Sequence, residues 1–157
     1  MADMLVPLLS LPSSAPVLDE LKQQGVIVRR ANPFEWTALR AFCEKNFAVT
    51  WADEACSGLS NKPVTTYIAI ENGQIIGFGS YECTRRDFFG PTGVAPEHRG
   101  RNIGKALLLV CLEGLRDMGY AYAIIGGAGP KEFYAKHVGA TEIPDSTPGV
   151  YHDLLAK

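Results

Sequence analysis

Val94-Ala95-Pro96-Glu97-His98-Arg99-Gly100-Arg101-Asn102-Ile103-Gly104-Lys105-Ala106-Leu107-Leu108 joins two kinds of sequence. Phe88 to Val94, before it, reads as a strand, and a strongly apolar helical pattern begins at Ile103. Between them lies a polar turn with two arginines, followed by a second glycine at the helix start. Such a turn is suited to an anion, because the first N–H groups of a helix lack intrahelical partners and the helix dipole favours negative charge there. Gly100 allows a ligand close to the backbone, and Arg99 and Arg101 add charge-assisted donors. The expected ligand is a phosphate or pyrophosphate.

Working outward, the chain reads as a mixed α/β fold. Tyr120 to Ile125 is a buried strand after the helix from Ile103 to Met118, which is closed by Gly119 as its C′ residue. Along that helix Ile103, Leu107, Val110, Cys111 and Met118 share one side. Gly126-Gly127-Ala128-Gly129 follows, then Pro130 opens a short helix to Val138, and Thr141–Ile143 and Val150–Leu155 read as the last strands. Upstream, Asn72-Gly73 between two β-type runs, Thr65–Ile70 and Gln74–Tyr81, is a hairpin signal. Asn32-Pro33 is an N-cap with proline at the first helical position, opening a helix to Phe47 with Trp36, Leu39, Phe42 and Cys43 on its inner face. A second helix is expected around Trp51–Leu59. Val17–Gln24 is a short helix before the strand Val26–Arg30, and Met4–Leu11 is an extra strand or packed arm.

The length of 157 residues suits one core. A net charge of −2 argues against a general nucleic-acid binder, whose affinity rests on a basic surface. No apolar run reaches the length of a membrane span, and the N-terminal run lacks the positive flank of a secretory signal. Cys43, Cys56, Cys83 and Cys111 are widely spaced with no C-x-x-C pair, a pattern of free thiols in a reducing cytoplasm rather than of a metal or disulfide site. Two phosphate motifs fail: Gly100 and Gly104 are too close for a P-loop, with Ala106 where the hydroxyl belongs, and no stretch fits a dinucleotide fingerprint.

A third pattern fits. Arg99-Gly100-Arg101-Asn102-Ile103-Gly104 resembles the Q/R-x-x-G-x-G/A motif of the GNAT superfamily of N-acetyltransferases, with Val94 and Pro96 before it and Ala106-Leu107-Leu108 after. Phe133-Tyr134-Ala135-Lys136, followed by Gly139, resembles the second signature of that family. The resemblance covers roughly the last four-fifths of the chain, in the family's order of elements. It implies a single N-acetyltransferase domain over 1–157, with an N-terminal arm at 1–25 and the core at 26–157. It implies the acyl-CoA N-acyltransferase fold: a mixed central sheet with splayed parallel strands and flanking helices. The co-substrate implied is acetyl-CoA, with no metal.

On this match Thr92, Gly93 and Val94 face the pantetheine arm. Arg99, Gly100, Arg101, Asn102, Ile103, Gly104 and Lys105 hold the pyrophosphate. A backbone N–H near Thr92 serves as the oxyanion donor, and Tyr134 is the general acid. Asn102 stands where the family prefers glycine, and asparagine tolerates the left-handed conformation. An asparagine that contacts CoA in the family falls at Gly127. The glutamate that several members use as base falls at Phe88, which leaves Asp87, Glu82 or a water relay as alternatives. His98, His137 and His152 read as surface residues, Trp36 as core, and Trp51 as pocket or packing. The partner expected is a small-molecule or peptide amine, with a homodimer possible in this family. An inactive CoA-binding sensor or interaction module is the competing reading.

Overall fold

The computed structural model describes residues 1–156. Seven strands form one mixed sheet in the order β2-β3-β4-β5-β6-β1-β7. They are β1 (Met4–Pro7), β2 (Val26–Arg30), β3 (Thr66–Glu71), β4 (Gln74–Tyr81), β5 (Phe88–Val94), β6 (Tyr122–Ile125) and β7 (Thr141–Glu142). The helices are α1 (Ala15–Gln23), α2 (Trp36–Asn46), α3 (Val49–Ser57), α4 (Ile103–Asp117) and α5 (Lys131–Val138). α2 and α3 pack on one sheet face with Ile68 and Phe78, while α1, α4 and α5 cover the other.

The Asn72-Gly73 hairpin forms with both residues at positive φ, 52° and 72°. Asn32 opens the turn Pro33–Glu35 through a reciprocal capping box with Glu35 before α2 begins. Gly77 and Gly79 of β4 let α4 lie close on the sheet: a Cβ at either would stand 3.2–3.3 Å from Leu107. α4 is buried nearly all round, including Leu108, Leu109 and Leu112, because the N-terminal turn Leu8–Ser10 and α1 also pack on it.

Expectations are corrected at Val150–Leu155, Trp36 and Met118. Val150–Leu155 forms no strand; Gly149–Tyr151 is a short 3-10 turn. The slot between β6 and β7 is taken by β1, which pairs antiparallel with both. The N-terminal segment is thus an interior strand, with Met4, Val6 and Leu8 buried. Trp36 is 39% exposed, since α2 turns Leu39, Phe42 and Cys43 inward instead. Met118 is 52% exposed, because the helix ends at Asp117 and Gly119 (φ 102°) turns the chain away.

Candidate active site

A cleft opens between two parallel strands because β5 is bulged. β5 pairs with β6 only at Phe88–Ile124 and Phe89–Ile125. From there the register against β4 shifts: Tyr81 faces Phe89, yet Gly79 faces Thr92. One extra residue is thereby inserted into β5 around Gly90-Pro91, which bends the strand. Beyond the bulge β5 follows β4 and leaves β6 behind.

The exposed backbone edge follows from ladder alternation. Ala95 N–H donates to the Ile76 carbonyl at 2.9 Å, so Ala95 and, two residues back, Gly93 point toward β4. Thr92 and Val94 therefore turn their N–H and C=O groups toward the cleft. In agreement, the Val94 carbonyl accepts a hydrogen bond from Arg99 Nε at 3.1 Å. Gly93 lines the cleft without offering it a polar group; its role is spatial, since a Cβ there would come within 2.3 Å of the Phe47 ring.

The turn at the end of β5 leads directly into the start of α4. Gly100 and Asn102 are both left-handed, φ 79° and 67°. The Ala106 N–H is the donor to the Asn102 carbonyl (3.1 Å), so the N–H groups of Ile103, Gly104 and Lys105 have no intrahelical acceptor. A Cβ at Gly104 would meet only ordinary contacts, Val94 at 3.8 Å and Phe133 at 4.0 Å. The protein itself thus leaves room there.

Cleft and turn are parts of one cavity of about 1360 Å³. Thr92, Gly93, Val94, Arg99, Gly100, Asn102, Ile103, Gly104, Lys105 and Tyr134 all line it, as does His98. Arg101 does not. Its guanidinium is turned to Glu71, with contacts of 3.1 and 2.6 Å, and reaches His98 Nδ1 at 3.1 Å. Arg101 braces the turn against β3 rather than presenting its side chain to the cavity. That hydrogen bond holds the Glu71 carboxyl below its usual range.

Tyr134 lies midway along α5, 6% exposed, edge-on to Phe89 (6.2 Å between centroids) and Phe133 (5.5 Å). Burial pushes its phenol up to about 12, so it remains protonated. Phe88 packs beside Gly126, and neither it, Asp87 nor Glu82 lines the cavity. Asp87 has positive φ (65°) and a buried Oδ1 with no hydrogen-bond partner among the described residues. Burial, with Glu82 nearby, raises its carboxyl to about 6.

Residues without a motif complete the walls. Phe47 stacks on Trp51 (5.2 Å, 27°), and both line the cavity beside Thr50 and Glu54. Helical spacing in α3 already places Trp51, Glu54 and Ala55 along one side, which is the signal that could have found Glu54. Thr147, Pro148, Tyr151 and Leu154 close the cavity from the C-terminal segment. Gly127 (φ 54°) donates its N–H to Asp3 Oδ1 at 2.8 Å, so the N-terminal strand braces the loop after β6. Among the described residues no cluster of ligating side chains could hold a metal, and no helix is long and apolar enough to cross a membrane.

The sequence matches a known family over residues 62–137, that of the acetyltransferase (GNAT) domain. No curated protein matches the chain. Among solved structures, a GCN5-related glucosamine N-acetyltransferase region of a fungal multi-domain GH3 β-N-acetylglucosaminidase superposes with a TM-score of 0.72 and 19% identity. The superposition covers 90% of this chain and 19% of that one. A GCN5-related N-acetyltransferase from Sphaerobacter thermophilus gives a TM-score of 0.67 and 20% identity, over 90% of this chain and 48% of that one. A GNAT family acetyltransferase from Brucella melitensis, solved with acetyl-CoA, gives a TM-score of 0.53 and 21% identity, over 71% of this chain and 80% of that one. The chain spans about a fifth and about half of the first two, and these likenesses show the fold.

Proposed function

We propose, from the match of residues 62–137 to the acetyltransferase (GNAT) domain, that the chain transfers the acetyl group of acetyl-CoA to a primary amine. The observation that carries this is the continuity of one cavity from the unsatisfied N–H groups of Ile103 to Lys105, along the free edge of β5, to Tyr134. The pyrophosphate is held by the helix start with Arg99 and Lys105 beside it. Pantetheine takes the place of the missing strand between β5 and β6, bonded to the outward groups of Thr92 and Val94. The Thr92 N–H polarises the thioester carbonyl.

The amine nitrogen attacks the carbonyl carbon directly. As the C–S bond breaks, Tyr134 donates its O–H to the leaving sulfur. A phenol near 12 and a thiol near ~8.5 differ by about 3.5 units, which favours a hydrogen bond strengthened by the developing thiolate over complete transfer. The proton shed by the attacking nitrogen completes the thiol. The products are the N-acetyl amide and CoA, and the acceptor is a small-molecule or peptide amine.

The test is release of free thiol from acetyl-CoA with a panel of primary amines. Amine-dependent release is the expected result. CoA binding with no release on any amine would instead support a sensor or interaction module, the reading that the absence of a glutamate at Phe88 favours. No CoA-dependent thermal shift at saturating ligand would remove both readings.

A further inference from the structure

The wall of the cavity remote from the phosphate turn carries a carboxylate that the mechanism above leaves unused. Glu54, half-buried on α3, follows Trp51 by one helical turn and lines the same cavity. Its place along the slot is fixed from two sides. One oxygen, Oε2, accepts a hydrogen bond from Thr84 Oγ1, in the segment just before β5 begins. Oε1 has no hydrogen-bond partner among the described residues. On the other side stands Tyr151, whose hydroxyl lies 3.4 Å from where a Cβ of Gly126 would be, beside Phe88. Burial, then the charges of Glu54 and Asp3, raise the Tyr151 phenol, which places Glu54 and Tyr151 in one neighbourhood.

The phosphate turn begins past the opposite end of β5. Phe88 and Val94 are separated by six steps of strand at ~3.3 Å, roughly 20 Å. Charge along the lining is therefore divided. Arg99 and Lys105 stand at the phosphate end and Glu54 at the other, near Tyr151, while the Trp51 ring lines the wall between them, stacked on Phe47. Among the described residues no lysine or arginine side chain lines the Glu54 end; Arg85, which also acts on Tyr151, is exposed and outside the lining.

We propose that Glu54 receives the ammonium group of the acceptor and takes its proton, and that the acceptor is a cationic primary amine on an apolar or aromatic body, with no carboxylate or phosphate beside the amine. The proposal rests on the acetyl-transfer reading for its chemistry, and on the cavity alone for its binding claim. The ammonium gives one proton to the Glu54 carboxylate. The neutral amine forms the N–C bond, the C–S bond breaks, and the second proton shed by nitrogen ends on sulfur. Glu54 then returns its proton to solvent. An α-carboxylate or phosphate next to the amine would meet Glu54 with no cation to balance it, a repulsive element that discriminates by charge.

Two measurements separate the claims. The first is kcat/KM for phenethylamine and for phenylalanine, which share a body and differ by one carboxylate. Wild type is expected to favour phenethylamine at least about tenfold. Glu54→Gln should lower that kcat/KM by about 100-fold and leave the acetyl-CoA Kd unchanged, with partial recovery in Glu54→Asp. Equal use of phenylalanine, or a Glu54→Gln variant as active as wild type, overturns the proposal.

The second measurement needs no turnover. In a Trp36→Phe background Trp51 is the one tryptophan, and phenethylamine is titrated against the CoA complex by Trp51 fluorescence. A response that weakens at least about tenfold in Glu54→Gln supports the assignment even if acetyl transfer fails. No response in wild type, or an unchanged one in the variant, overturns it. The glutamine can still accept from Thr84, so near-ultraviolet circular dichroism should match wild type.

Discussion

Tyr134 keeps its proton because burial against Phe89 and Phe133 disfavours the phenolate. Tyr134→Phe should preserve that packing and lower kcat on the order of 100-fold, with the acetyl-CoA Kd unchanged by calorimetry; undiminished turnover would remove Tyr134 as the donor. The same burial has a sign in stability. A folded value of about 12 lies above the ordinary 10, so the Tyr134 contribution is present below pH ~10 and lost as pH rises toward 12. Asp87 has the same sign as Tyr134, contrary to the usual carboxylate. Raised to about 6 from 3.8, it favours the fold in acid and loses that contribution as pH rises through 6. Asp87→Asn, which tolerates the positive φ, should raise Tm at pH 8 and not at pH 4, and a lower Tm at pH 8 would contradict this account. Asn102 was legible as a left-handed position from its residue type and place in the turn. The side-chain direction of Arg101 was not, because Glu71 is thirty positions away and only the sheet brings it near.

The bulge in β5 joins residue to function. Glycines within a strand, here Gly90 and Gly93, go with irregular backbone, but sequence cannot say which strand leaves which; that depends on register against β4 and β6. Gly93 illustrates the difference, since its partner is an aromatic ring from another element. Gly93→Ala should cost about 1–3 kcal/mol in stability by displacing Phe47. A Gly93→Ala/Phe47→Leu pair should recover part of that loss in chemical denaturation, and strict additivity would contradict the close approach. The pattern of α4 showed a helix correctly, yet one apolar stripe understated a helix buried on nearly every side. Its outer cover comes from Leu8–Ser10 and α1, at the other end of the chain, which local periodicity does not reveal.

For the molecule as a whole, the N-terminal strand is the least legible part. Met4–Leu11 reads as an extra strand or a packed arm, because nothing local tells an interior strand from a peripheral segment. β1 nonetheless separates β6 from β7, supplies Met4 and Val6 to the core, and through Asp3 holds the loop at Gly127. Removing residues 1–7 should therefore abolish the cooperative thermal transition, whereas an expendable arm would leave it intact. Val150–Leu155 joins no strand of the sheet, and Tyr151 and Leu154 become cavity wall instead. The turn proposed for the phosphates is thus readable as one local motif. The wall proposed for the acceptor is assembled from α3, the 84–88 turn and the C-terminal segment, so only the folded chain displays it.

The claim beneath all of this is that acetyl-CoA lies between β5 and β6 with its pyrophosphate on the Arg99–Gly104 turn. Calorimetric titration of acetyl-CoA into wild type and Gly104→Glu tests it most directly. A glutamate there finds room in the protein but sets bulk and negative charge against the phosphates. The account predicts saturable one-site binding to wild type, and at least about tenfold weaker binding to a variant that melts like wild type. Equal affinity in the two proteins would place the pyrophosphate elsewhere and contradict it.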